Sequence, residues 1–242
     1  MRKILLIMAT IFSLTAVGQV NMTVYLSNGE VKVYDKADVD SVTFGMSGDT
    51  DKYNGYEYVD LGLPSGLKWA TCNIGADAPE KYGDFYEWAE TEPRDRYGKG
   101  NKYSSDGSSL KYSKYNKDDN KTLLDPEDDV AHMKMRGAWR MPTLDELKEL
   151  FNQCQCSVET AGDVKGFRIT GPNGNSMFMP LAGYNMGESI SKRGYKGIYW
   201  SSSLYEDEIS SKANTVSLFD TGKFRFESLN RSFGCCVRAV IE

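Results

Sequence analysis

Cys72, Cys154, Cys156, Cys235, Cys236 and the single histidine, His132, are the residues of this 242-residue chain with most scope for redox, nucleophilic or metal chemistry. A zinc site needs further sulfur or imidazole ligands at close spacing. C-x-C beside distant cysteines supplies none, and His132 falls within a helix-forming stretch. Cys235 and Cys236, if in a strand, point to opposite faces, so no bond between them is expected. An odd count leaves at least one thiol free. One or two bridges are expected, with Cys72 and Cys154 as the candidate pair. The run Asp125, Glu127, Asp128, Asp129 offers the oxygens that calcium prefers. It lacks a D-x-D-x-D-G loop, however, and charge at a helix N-terminus accounts for it. Ser201–Ser203 has no G-x-S-x-G elbow. Any two of the 34 acids could form a glycosidase pair, and nothing selects one. No catalytic constellation stands out, and no metal or other cofactor is expected.

The elements that would position such groups are easier to read. Trp139 to Leu150 is the most patterned stretch. Thr143 and Glu146 form a T-x-x-E capping box, and Leu144, Leu147, Leu150 and Phe151 recur at helical spacing. Pro142 forces Met141 into an extended conformation. Trp139 is expected in the core, with Arg140 paired to a nearby acid. A second helix is expected to open with Asp125 as N-cap and Pro126 at its first position, and to close at Gly137. Residues 90–124 read as a long surface loop whose large side chains are Tyr97, Tyr103, Tyr112 and Tyr115.

Strands are expected over 57–63, 67–73 and 83–89. Others are expected at 165–170 with 176–181, at 199–203, at 213–219 with 223–227, and at 233–241. Val237, Ala239 and Ile241 share one face of the last of these. Short strands, two short helices and long loops point to an α+β domain with mixed or antiparallel sheets.

Arg2 and Lys3 followed by the apolar run Ile4–Leu14 and the small residues Ala16 to Gly18 are the pattern of a secretory signal, so residues 1–18 are expected to be removed on export. The apolar run is shorter than a membrane span needs. Without Arg2 and Lys3 the chain keeps 27 basic against 34 acidic residues, about −7. No basic cluster invites nucleic acid or anionic lipid. Residues 19–44 read as a small β module, with strands at 22–26, 31–34 and 41–44 and a helical turn over 35–40. Three short strands are marginal alone, so self-association or docking to the envelope through residues 20–44 is expected. Residues 45–56 read as a polar linker, and 57–242 as the main domain.

Over that domain the chain resembles a known family. The carriers are Tyr58 to Ala76 (YVDLGLPSGLKWATCNIGA), Glu127 to Ala131, Trp139 to Thr143, Gly171 to Ser176, Tyr199 to Ser203, and Val237-Arg238. Together they resemble the Fibrobacter succinogenes major paralogous domain, common in exported proteins of gut Bacteroidetes. The segment 20–44 is similar to a short module often found ahead of such domains. The resemblance implies a C-type-lectin-like fold, of the variety shared with formylglycine-generating enzymes and with the variable proteins of diversity-generating retroelements. In that fold the C-terminal third carries a ligand-facing surface, so the implied role is adhesion or binding of an unknown protein or glycan.

The candidate contacts are Tyr184, Asn185, Trp200, Ser202, Tyr205, Arg225, Asn230 and Arg231, because aromatic and small polar side chains suit adaptable recognition. For Trp200 the competing reading, plain core, is the stronger. A structural subunit of the envelope or of a fimbria is the alternative. A formylglycine-generating oxidase is a third reading, but its separated catalytic cysteines have no counterpart in adjacent Cys235 and Cys236. Only the closing pair Gly234 and Arg238 is similar.

Overall fold

A computed structural model of the chain describes residues 21–25, 31–35, 51–105, 107, 111–206 and 210–242. The expected signal segment, the turn after Asp35 and the strand at 41–44 lie outside the described residues. The chain divides into two units, Met1–Met46 and Ser47–Glu242. In the first, β1 (Asn21–Tyr25) pairs antiparallel with β2 (Val31–Asp35).

The second unit is mostly antiparallel β-sheet with two short helices. It starts within the segment expected to be linker. β3 (Asp51–Tyr53) pairs with β4 (Tyr56–Asp60), and Asn54 and Gly55 between them both hold positive φ, 50° and 84°. Two left-handed residues are what a tight hairpin turn of this hand requires, and Asn-Gly is the dipeptide that adopts it most readily. β5 (Lys68–Ala70) adds to β4, and the last strand, β14 (Val240–Ile241), adds to β5. The domain's first and last strands are thus laced into one sheet.

The first helix differs from expectation. Pro126–Asp128 makes a 3-10 turn, and α1 runs only from Val130 to Met135. Its cap is Asp129, whose Oδ1 accepts the N–H groups of Ala131 (2.8 Å) and His132 (3.1 Å). Asp125 makes no cap bond, because its carboxylate is engaged by Lys114 and Lys121. α2 (Leu144–Gln153) is capped as its sequence dictates, with both halves of the box formed between Thr143 and Glu146.

The chain then forms the meander β6 (Gln155–Ala161), β7 (Val164–Thr170) and β8 (Ser176–Pro180). A small ribbon of β9 (Tyr184–Met186) and β10 (Ser189–Ser191) follows. A second meander consists of β11 (Lys196–Leu204), β12 (Lys212–Phe219) and β13 (Phe224–Asn230).

Two hydrophobic clusters form the core, and the C-terminal segment threads between them. Cys235, Val237, Ala239 and Ile241 belong to one, Cys236 and Val240 to the other. This is the alternation of an extended strand buried on both faces. The expected strand over 233–241 is regular only at Val240–Ile241. Its earlier part makes single bridges, Cys235 to Tyr86 and Cys236 to Tyr199, instead of a ladder. Indole N–H groups tie the layers together: Trp88 donates to Ser201 O and Trp200 to Tyr86 O, each at 2.8 Å, and Trp139 to Tyr53 O at 3.1 Å. The long segment 90–124 is not the plain surface loop expected from its polarity. Tyr97, Tyr112 and Tyr115 are buried and pin it to the core.

Candidate functional site

The patterned stretch before α2 is scaffold. Trp139 is fully buried. Arg140 grips Glu146 through two bonds, Nη1 to Oε2 at 2.8 Å and Nη2 to Oε1 at 2.7 Å, while Oε2 also accepts the Thr143 N–H at 2.7 Å. The three serines of β11 are equally committed. Ser201 Oγ donates to Asn214 O (2.9 Å), Ser202 Oγ to Pro142 O (3.3 Å), and Ser203 Oγ accepts the first N–H of α2, from Leu144 (3.0 Å). Each hydroxyl holds backbone, so none is poised as a nucleophile.

The acidic cluster is occupied by an ammonium. Asp125, Glu127 and Asp128 approach one another closely enough to hold a cation. Lys114 Nζ lies 2.7 Å from Asp125, 3.2 Å from Glu127 and 2.6 Å from Asp128. Asp128 is buried and also takes Lys102 at 2.5 Å and the hydroxyls of Tyr103 and Tyr115. Burial alone would raise its pKa, but the two lysines and two phenols hold it down at about 2. The cluster's charge therefore serves to fasten the tyrosine-rich loop.

All five cysteines are free thiols, so the expected Cys72–Cys154 bridge is not formed. Cys154 caps the end of α2, while Cys72 sits in the turn after β5. Cys235 and Cys236 are completely buried, which pushes both thiols up, Cys236 to about 12. Burial likewise lifts Cys154 and Cys156 to about 11. Thiolate chemistry needs a depressed pKa and access; none of these four has the first, and Cys235 and Cys236 lack the second as well.

The expected contact residues separate into buried supports and a surface rim. Trp200 is 1% exposed and Ser202 6%, so both are core. Asn185 is buried in β9, its backbone paired with Gly234 in both directions. Arg231 is fully enclosed. Its Nη1 donates to Tyr115 O (3.1 Å) and Ser210 O (3.2 Å), its Nη2 to Lys114 O (3.2 Å), and the guanidinium lies 3.9 Å from the Tyr112 ring centre. Burial lowers its pKa to about 10. Arg238, buried beside the other cluster, is held in the same manner by Asn73 Oδ1 and the carbonyls of Ala70, Thr71 and Phe178. These four side chains, Trp200, Ser202, Asn185 and Arg231, are enclosed by the protein.

What remains exposed is Tyr205 (40%), Arg225, and the half-buried Tyr184 and Asn230. Tyr184 stacks on Phe233 with centroids 6.1 Å apart. Phe233 N–H donates to Asn230 O, Asn230 faces Lys212 across β12 and β13, and Lys212 O accepts the Tyr205 N–H. Tyr184, Asn230 and Tyr205 are thereby linked along one rim. Arg225 stands apart from Asn230 by five residues of β13, roughly 17 Å along the strand, and lies over Phe219 instead. The rim also carries Met186 (57% exposed) and Ile190 (39%) of the β9–β10 ribbon, neither of which was singled out from the sequence. Their signal was available: a short alternating run on either side of Gly187 is a hairpin, and a hairpin projects one face.

A second concavity borders the sheet that holds β4 and β5. It encloses about 720 Å³ between the β3–β4 turn, the loop after β5 and the end of α1. Tyr56, Asp77, Asp84 and Cys72 are on its walls, of which only Cys72 was singled out from the sequence, and then as a disulfide partner. A smaller groove of about 310 Å³ beside Trp139 and His132 is walled by groups already engaged, Arg140, Glu146 and Asp129 among them.

No family model matches the chain, and neither the curated proteins nor the solved structures contain a match to it. Among the described residues no helix is long and apolar enough to cross a membrane.

Proposed function

We propose that this is an exported, non-catalytic binding protein with a C-type-lectin-like domain related to the Fibrobacter succinogenes major paralogous family. It recognises a protein or glycan through the C-terminal rim. The observation that carries this reading is the exposure of Met186, Ile190 and Tyr205 along with half-buried Tyr184 and Asn230, the last of these next to the enclosed Arg231. Large side chains held on a fixed frame lose little entropy on binding. The raised pKa values of the buried thiols and the structural duties of Ser201, Ser202 and Ser203 also favour binding over catalysis. The test is an array of glycans and proteins probed with the mature chain. The combined variant Tyr184→Ala, Met186→Ala, Tyr205→Ala is expected to lose any captured ligand at least tenfold, about 1.4 kcal/mol. Undiminished capture would overturn the assignment of the rim.

A second reading, a subunit that assembles through residues 20–44, is favoured by one observation. Val31, Val33 and Tyr34 of β2 are 50%, 58% and 41% exposed on a ribbon that has two strands among the described residues. Comparing the assembly of the mature chain with a chain beginning at Ser47 separates the two readings.

A further inference from the structure

We infer that the cleft between the β3–β4 turn and the loop after β5 is a second binding site, built for a neutral saccharide. It shares no lining residue with the C-terminal rim, so it stands or falls separately from the reading of that rim.

The size comes first. About 720 Å³, open on one side, lies within the range of small-ligand sites and has room for a di- or trisaccharide. The wall chemistry narrows the class. Asp77 and Asp84 line the cleft as exposed carboxylates. Asp84 is held in place on two sides. Tyr86 OH donates to its Oδ2 at 3.2 Å, and the carboxyl sits so close to Gly75 that any Cβ there would lie 2.3 Å from the same oxygen. Gly75 also has φ 82°, so the loop needs glycine for its conformation as well as for this approach. A fixed carboxylate accepts hydrogen bonds from neighbouring hydroxyls at little entropic cost.

Tyr56 supplies the complementary apolar face. It is 42% exposed, and its hydroxyl donates to Lys134 O at 3.2 Å, which fixes the ring. A fixed ring face packs against the C–H face of a sugar.

Other ligand classes fit less well. The carboxylates oppose an anion. The ammonium groups of Lys52 and Lys134, each already paired with a glutamate, border the same cleft and oppose a strongly cationic peptide. A purely apolar ligand would leave the acids desolvated.

Cys72 provides the readout, since it lines the cleft and is half-buried, while Cys154 and Cys156 are half-buried outside the cleft and Cys235 and Cys236 are buried. Alkylation of the mature chain with iodoacetamide, followed at each cysteine by mass spectrometry, is to be run with cellobiose, maltose, lactose and chitobiose as probes. At least one of these is expected to slow Cys72 about tenfold at ten times half-saturation, leaving Cys154 and Cys156 unchanged. Asp84→Asn, Asp77→Asn and Tyr56→Ala each remove this protection, while the rim variant retains it. Failure of all four sugars to protect, protection that survives the cleft variants, or protection by trilysine in place of sugar would overturn the inference. Array capture lost in the rim variant, without any effect on Cys72, would leave the rim standing and the cleft refuted.

Discussion

At the scale of single residues, Glu87 and Arg231 are charges that the fold encloses without a full countercharge. Glu87 is 1% exposed, and Arg94 Nη1 stands 3.2 Å from its Oε2. Burial outweighs that partner and pushes the acid from its ordinary 4.5 up to about 8. The folded state therefore keeps a proton that the unfolded chain has released. The stabilisation is complete below about pH 4.5 and is lost as pH rises through about 8. Glu87→Gln mimics the protonated acid, so its melting temperature is expected to match the parent at pH 5 and exceed it by several degrees at pH 9. Parallel melting curves across that range would show that Glu87 does not titrate there. Arg231 presents the opposite case, a cation held by carbonyl oxygens and ring faces. Lysine cannot reproduce that planar fork. Arg231→Lys is expected to cost about 2–4 kcal/mol, read as a lower urea midpoint, whereas Tyr205→Ala at the rim leaves the midpoint unchanged. Equal midpoints for Arg231→Lys and the parent would return Arg231 to the list of ligand contacts.

At the scale of elements, α2 was legible because every determinant of it is local. The cap, the box and the apolar spacing all lie within eleven residues, and the structure adds Arg140, Ser203 and Ser65 as outside props. Thr143→Ala is expected to cost about 1 kcal/mol in chemical denaturation. Arg140→Ala should cost a similar amount, and less than additively with Glu146→Ala, because Arg140 acts through that carboxylate. Strict additivity would mean the pair is ornamental. The start of α1 was misread for the converse reason. Asp125 and Asp128 are excellent caps by type, but Lys114 claims both of them, and nothing local shows that it folds back. The cap then falls to Asp129, whose other oxygen accepts the Met141 N–H. Arg231 was taken for a contact residue because its acceptors are backbone oxygens, Ser210 O some twenty positions away and Tyr115 O over a hundred, and a carbonyl leaves no mark in a sequence. The β3–β4 hairpin is different. Asn54-Gly55 carried its signal openly, and the polarity around it concealed the strands.

At the scale of the whole molecule, the two units carry unequal means of standing alone. Ser47–Glu242 closes on itself. Its last strand, β14, lies between β5 and Arg140, and two hydrophobic clusters meet across the C-terminal segment. Removing residues ahead of Ser47 takes none of this away, so that fragment is expected to melt within a few degrees of the mature chain. The described part of Met1–Met46 has only one antiparallel pair, and β2 exposes Val31 and Val33 on one face and Tyr34 on the other. A two-stranded ribbon is marginal in water, and each exposed strand edge offers unpaired N–H and C=O groups. Apolar side chains on both faces make pairing with another strand favourable, through main-chain bonds along the edge and side-chain burial above and below it. Sedimentation of the mature chain is expected to give a dimer or larger species, and the Ser47 fragment a monomer. Val33→Asp in the mature chain should disperse the assembly without lowering the melting temperature, since a charge on that face opposes burial and Val33 is a member of neither core cluster. If the mature chain and the fragment sediment alike as monomers, the ribbon is not a self-assembly surface. The exposed valines would then have to be covered by a different protein.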